Sequence, residues 1–199
     1  SFMGMGEPFS NPENVFEALH ILTNKDFLGI GDRHINVSTV GIVPQIRRLT
    51  KEFPQVNLAF SLHSPFPDQR LQLMPVTKAY PIDKVFEALD ERIKATKRRV
   101  FLAYLLLAGV NDTKDHVKAL VDLIKKRGPH AYLYHVNLIR FNPGPGETEF
   151  NKASRESVDS FKKYLLDNNI SCSLRQSFGL NIFAACGQLY GGYQKKNES

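Results

Sequence analysis

Val100-Phe101-Leu102-Ala103-Tyr104-Leu105-Leu106-Leu107 is a continuous run of aliphatic and aromatic side chains; it breaks at Gly109-Val110-Asn111-Asp112 and gives way to a helical pattern from Thr113 to Arg127. A short apolar run closed by a glycine turn reads as a buried strand, and the stretch after it as an amphipathic helix. The same unit recurs on both sides. His34 to Thr39, Val56 to Leu62, Ala131 to Ile139 and Ile170 to Gln176 are further strand candidates, rich in Val, Ile, Leu, Tyr and Phe. The helical stretches are the one opened by Asn11-Pro12-Glu13, then Val43 to Phe53, Pro81 to Thr96 and Ser154 to Asn168. Asn11 is the expected capping residue of the first, with proline in its first turn, and Gly128 the expected C-terminal cap of the helix before it. Val85, Phe86, Leu89 and Ile93 form the clearest apolar stripe. Strands and helices in strict alternation imply parallel strands joined by right-handed crossovers, hence an α/β sheet or part of a (β/α) barrel. There is no internal repeat, low-complexity tract or long linker, so residues 1–199 read as one domain.

The unusual tetrapeptides all fall at the ends of these strands: Gly4-Met5-Gly6-Glu7, Ser38-Thr39-Val40-Gly41, Ser61-Leu62-His63-Ser64, Gly109-Val110-Asn111-Asp112 and Asn142-Pro143-Gly144-Pro145. In parallel α/β folds the strand-to-helix loops converge at the carboxyl edge, and ligands bind there. Ser1-Phe2-Met3 reads as the last turn of a strand, so the expected barrel lacks its first strand and its N-terminal region.

The 199 residues are 42% hydrophobic and contain two cysteines, too few for a disulfide framework. No apolar run is long enough for a membrane helix and no signal-like start is present, so the expectation is a cytoplasmic protein with no membrane partner. A net charge of +6 is concentrated at Arg47-Arg48, Lys97-Arg98-Arg99, Lys125-Lys126-Arg127 and Lys195-Lys196. Such clusters suit phosphate backbones, and equally suit solvated helix faces and ends.

The loop residues carry definite chemistry. Gly4 and Gly6 let a ligand approach the backbone, and Glu7 accepts hydrogen bonds from an ammonium or hydroxyl group; alone, the pair is also a tight strand-to-helix turn. Ser38 can bind a ribose or a carboxylate, or simply close a turn. Ser61, Leu62 and His63 offer a hydroxyl, backbone groups and an imidazole, which could equally be structural, and Asn142 opens an Asn-Pro turn. Cys186, in Ala184-Ala185-Cys186-Gly187-Gln188-Leu189, sits among small residues that leave a sulfur accessible, although a cysteine beside alanines can also be a small buried hydrophobe.

In this order, Gly4-Met5-Gly6-Glu7-Pro8, Ser61-Leu62-His63-Ser64-Pro65 and the Cys186 segment resemble the radical S-adenosylmethionine (SAM) enzymes that methylate an adenine of 23S ribosomal RNA. The resemblance runs from Phe2 to about Gln194. It implies a partial (β/α) barrel of the radical SAM type, forming the C-terminal part of that domain, with the Cys186 loop at about residues 177–192. It implies that Gly6, Glu7, Ser38, Ser61, Leu62, His63 and Asn142 contact SAM, with Gly6 and Glu7 at the methionine amino group and Asn142 at the adenosine. Cys186 would be a covalent methyl carrier, since methyl transfer to sulfur needs a thiolate aligned on the sulfonium. The implied partners are 23S rRNA and a flavodoxin-like electron donor, acting on a monomer. Leu133-Tyr134-His135-Val136-Asn137-Leu138-Ile139-Arg140, Arg175-Gln176-Ser177-Phe178-Gly179 and Leu189-Tyr190-Gly191 resemble the chloramphenicol-florfenicol resistance branch, which methylates C8, more than the housekeeping branch, which methylates C2.

Two departures stand out. The family's Cys-x-x-x-Cys-x-x-Cys loop, which holds a 4Fe-4S cluster, should precede Gly4, as should a resolving cysteine, and neither is among these residues; Cys172, inside a strand, does not replace them. The cluster and activity are therefore expected only in a full-length protein, and the residues present provide no metal site. Asn181-Ile182-Phe183 also stands where the family usually has Asp-Ile-Asp. The alternatives left open are a C2-methylating enzyme, a catalytically silent SAM- or RNA-binding fragment, and a metabolic (β/α) enzyme using Cys186 on a small molecule.

Overall fold

A computed structural model describes residues 1–3, 6–143 and 149–176. Five strands form one sheet: β1 (Asn36–Thr39), β2 (Asn57–Ser61), β3 (Val100–Leu106), β4 (Tyr134–Arg140) and β5 (Cys172–Arg175). Every pairing is parallel and the spatial order is β1-β2-β3-β4-β5, so each strand lies beside its sequence neighbour. That order is the one that part of a (β/α) barrel has, and the sheet is open among the described residues. Phe2 runs parallel to β1, its N–H donating to Asn36 and its carbonyl accepting from Ser38.

The helices α1 (Pro12–Thr23), α2 (Val43–Glu52), α3 (Pro67–Leu73), α4 (Ile82–Thr96), α5 (Lys114–Lys125) and α6 (Arg155–Asp167) follow the expected alternation. Their apolar stripes pack on one face of the sheet. The row Val37, Leu58, Val100 and Tyr134 is in register and fully buried, as is the row Phe60, Leu102 and Val136 beyond it. Residues of the other parity face the concave side, where Ser38, Ala59, Ser61, Ala103 and Asn137 are small or polar and stand beside the larger Phe101, Leu105 and Ile139. The hydrophobic core therefore lies between sheet and helices, and the concave face is left to form a cavity.

Some expectations shift. Asn11 occupies the cap position of α1, but its Oδ1 accepts from Asn14 Nδ2 at 2.8 Å instead of from the helix backbone. Residues Gly128–Leu133 form a 3-10 helix, so the fourth strand begins at Tyr134 and not at Ala131; Gly128, at φ +64°, turns the chain after α5 and Pro129 suits the tight first turn. The seven-residue α3 has no counterpart among the expected helices.

Candidate functional site

A cavity of about 840 Å³ opens at the carboxyl edge of the sheet. Of the sequence-derived site residues, Gly6, Glu7, Ser38, Ser61, His63 and Asn142 all line it, drawn from four separate segments of the chain. The side chain of Leu62 does not: it is fully buried in the core, because at the end of β2 the alternation turns it toward the helices. Cys186 lies outside the described residues.

Each lining residue is fixed by a local cause. Glu7 caps a short 3-10 turn, with Oε1 accepting from Phe9 N at 3.0 Å and Oε2 from Val40 N at 2.7 Å, which ties the first loop to the exit of β1. Its carboxylate thus builds the loop before it can serve a ligand. The hydroxyls of Ser38 and Ser61 face the cavity, and no described residue hydrogen-bonds to either. Gly41 turns the chain at φ +111°, and a Cβ there would sit 2.9 Å from both Phe60 Cε2 and Val85 Cγ2.

His63 takes a left-handed conformation, φ +58°, that few residues other than glycine adopt. Its Nδ1 accepts from Leu105 N at 3.0 Å, its N–H donates to Ala103 O at 3.4 Å, and its carbonyl accepts from Asn111 Nδ2 at 2.7 Å. Asn111 is fully buried and also bonds Leu107 N and Leu105 O, so it staples the loop after β2 to the end of β3. Burial, with the nearby Arg70 charge adding to it, pushes His63 down to about 4, and the imidazole is neutral near pH 7.

Arg70, on α3, is the group that sequence reasoning missed. Its guanidinium is completely buried and donates to Leu62 O (3.1 Å), Ser61 O (3.0 Å), Val40 O (2.8 Å) and Thr77 Oγ1 (2.9 Å), and it stacks 4.8 Å above the Phe60 ring. No acid pairs with it among the described residues, and burial lowers it to about 10. One side chain thereby clamps the exits of β1 and β2. Behind it, Gln69 Oε1 lies 2.6 Å from Ser64 Oγ and 2.9 Å from His116 Nε2, while Gln69 Nε2 donates to Val110 O, which braces the same loop from α5.

The described basic clusters fall elsewhere, and Lys195-Lys196 lies outside the described residues. Arg47 is paired with Glu91, Arg48 with Glu13 and Glu52, and Arg127 with Asp90. Lys97 to Arg99 lead into β3 and Lys125 to Arg127 end α5, which puts both at the amino edge, opposite the cavity. The cations that do line the cavity are Arg140 and Arg175, at the ends of β4 and β5. An arginine as the last residue of a strand, at the carboxyl edge, was the available signal for both.

The cavity suits SAM: unpartnered hydroxyls, a carboxylate and a neutral imidazole surround a space large enough for a nucleoside-sized ligand. An iron-sulfur cluster does not fit the described residues. No group of three potential metal ligands occurs among them, and Cys172 points its Sγ at Lys162 O with its thiol pushed up by burial.

Comparison with known proteins defines the class. Residues 1–124 match the model of the Radical SAM superfamily, and the chain belongs to that superfamily. Two similar proteins carry the name ribosomal RNA large subunit methyltransferase Cfr: that of Lachnoclostridium phytofermentans is 52% identical over 192 residues, covering 96% of this chain and 56% of the relative. That of Staphylococcus aureus is 47% identical over 195 residues, covering 98% and 56%. The chain thus spans little more than half the length of these relatives. A crystal structure of a radical SAM methyltransferase from Sphaerobacter thermophilus superposes with a TM-score of 0.87 at 42% identity, over 94% of this chain and 53% of that one. A domain of pyruvate-formate lyase-activating enzyme from Bacteroides vulgatus, 16% identical with a TM-score of 0.63 over 88% of this chain and 97% of that one, shares the fold. The superfamily uses SAM and a 4Fe-4S cluster. Among the described residues no helix is long and apolar enough to cross a membrane.

Proposed function

We propose that this chain is the SAM-binding part of a radical SAM methyltransferase that modifies C8 of an adenine in the peptidyl-transferase centre of 23S rRNA and so confers resistance to ribosome-targeting antibiotics. The observation carrying this reading is that six residues chosen from four chain segments line one cavity at the carboxyl edge, in a chain about half identical to rRNA methyltransferases.

SAM supplies a sulfonium-bound methyl group when bound. Glu7 offers its remaining lone pairs to the amino group, and its two backbone bonds hold it in place for that purpose. Ser38 and Ser61 satisfy polar atoms of the ligand without rearrangement, because no described side chain competes for them. Neutral His63 matters for a different reason: an imidazolium beside a sulfonium would repel it, and burial together with Arg70 keeps the ring uncharged. Arg140 and Arg175 give the cavity wall a positive potential suited to a polyanionic substrate. By the family resemblance, Cys186 would accept the methyl group that SAM supplies, its thiolate sulfur bonding to the methyl carbon as the sulfonium–methyl bond breaks and S-adenosylhomocysteine leaves. The further partners in this reading are an electron donor of the flavodoxin type and a monomeric full-length protein in the cytoplasm.

The test expresses the chain within a protein that also carries the three-cysteine loop, in cells lacking their own enzyme of this kind, and reads the rRNA adenine by mass spectrometry. A methyl group at C8 is the expected result, absent with Cys186→Ala. A mark at C2 overturns the resistance-branch assignment, and an unmodified adenine overturns the methyltransferase reading.

A further inference from the structure

The concave face of the sheet carries a polar line that ends in the cavity and involves none of the residues that the sequence assigned to the site. His135, on β4, places Nδ1 at 2.7 Å from Ser171 Oγ and Nε2 at 2.9 Å from Ser173 Oγ. Ser173 Oγ in turn donates to Asn137 Oδ1 at 2.7 Å. The Phe101 ring stands nearly edge-on to the imidazole, 5.6 Å between centroids, and fixes its plane. A serine hydroxyl has one proton. If Ser173 gives that proton to Asn137, it must accept from His135 Nε2–H, and Nδ1 is then the acceptor for Ser171. In the structure Oδ1 is the amide atom engaged with the sheet, which leaves Nδ2 as the end free for the cavity that Asn137 lines. No described residue accepts a hydrogen bond from Nδ2, and the in-register neighbour on β3 is Ala103, whose methyl group leaves that side open.

We propose that Asn137 is a further ligand-binding residue of this cavity, donating from Nδ2 to an acceptor atom on the nucleoside part of SAM, with Ser173 and His135 as positioning residues. The inference rests on the reading that the cavity binds SAM. The nucleoside is the part concerned because Asn137 shares β4 with the exit that leads to Asn142, which the resemblance places at the adenosine. Gly6 and Glu7, placed at the amino group, approach from the β1 end of the sheet, three strands away.

The experiment is a nuclear magnetic resonance titration of the 15N-labelled chain with SAM and, separately, with 5′-deoxy-5′-methylthioadenosine, which keeps the nucleoside and lacks the amino acid. The Asn137 side-chain amide signals should shift with both. Asn137→Ala should weaken both ligands about two- to tenfold, the range for losing one neutral hydrogen bond. Ser173→Ala should weaken them less while changing the His135 ring-nitrogen shifts, and Ser173→Thr, which restores a hydroxyl, should recover both affinity and shifts; loss of folding alone would not produce that rescue. If signals from Ser38, Ser61 and Asn142 respond and those of Asn137 do not, the inference is overturned and the SAM reading stands. A response of Asn137 to SAM but not to methylthioadenosine overturns the nucleoside assignment. If none of these signals responds to either ligand, the SAM reading fails and the inference with it.

Discussion

Arg70→Met tests whether one buried guanidinium holds the cavity wall. The substitution keeps most of the side-chain volume and removes every donor. Val40 O and Ser61 O lose their guanidinium donor, Thr77 Oγ1 loses one partner, and Leu62 O keeps only the bond from Ser64 N at 2.7 Å. Thr77 Oγ1 still donates to Met74 O, so at roughly 1–3 kcal/mol for each buried group left unsatisfied, the gross cost for the two carbonyls is about 2–6 kcal/mol. Relief from burying an unpaired cation offsets part of that, so a net loss of about 1–3 kcal/mol is expected, measured by urea unfolding with an unchanged slope. The second readout is His63, whose protonation Arg70 opposes. In Arg70→Met its titration should move up from about 4 and stay below 6.5, because burial, the larger cause, remains. Arg70→Lys separates the two effects: it retains the charge but lacks the planar fork, so stability should fall while the His63 titration stays near its original value. A loss below about 1 kcal/mol in Arg70→Met, within reach of a single ordinary hydrogen bond, refutes the clamp.

His63 also sets a pH dependence. Its protonation is depressed in the folded chain, so its contribution to stability is complete above about pH 6.5, the unfolded value, and is lost as pH falls toward about 4, at up to about 1.4 kcal/mol per pH unit; His63→Asn, which tolerates the left-handed backbone, should flatten the stability profile in that window, and an unaltered profile would remove His63 as the cause. Gly41→Ala should cost about 2–4 kcal/mol from combined strain and overpacking against Phe60 and Val85, seen as a lowered melting temperature, whereas an unchanged one shows that the loop relaxes freely. Arg140→Gln and Arg175→Gln together should reduce the salt dependence of rRNA-fragment binding, while Arg47→Gln, whose charge is already paired with Glu91, should not; equal effects from both would mean that the cavity wall is not the RNA-facing side.

The strands were legible because their helix-facing rows are continuous: Val100, Leu102, Tyr104 and Leu106 announce β3 without help from neighbours. The site was legible as a place, since turn-forming residues fall at the strand ends, and as a set of residues only through the family resemblance. Local pattern missed what depends on distant partners. Arg70 looks like any charged residue in a polar segment, and one of its acceptors, Val40 O, lies 30 residues earlier. The short helix carrying it was hidden by Pro65, Pro67 and Pro75, which read as breaks although Pro67 occupies the tolerated first turn. Leu62 shows the converse: it belongs to the motif, yet strand alternation sends its side chain to the core and leaves only its backbone at the carboxyl edge.

A common physical requirement links these details. A sulfonium ligand needs a site that is polar without being cationic, and a polyanionic substrate needs positive charge close by. On the proposed reading the chain meets the two demands from different strands: the wall formed by β1 and β2 presents hydroxyls, a carboxylate and a neutral imidazole, while Arg140 and Arg175 enter from β4 and β5. Arg70 is the cation buried behind the first wall, and its charge is spread over three carbonyls and a hydroxyl and screened by Phe60. Putting a carboxylate behind the wall to pair with Arg70 would have stabilised the cation, but it would also have favoured protonation of His63. Binding it through neutral carbonyls anchors the loops and leaves the imidazole uncharged, which is the state that a positively charged ligand requires.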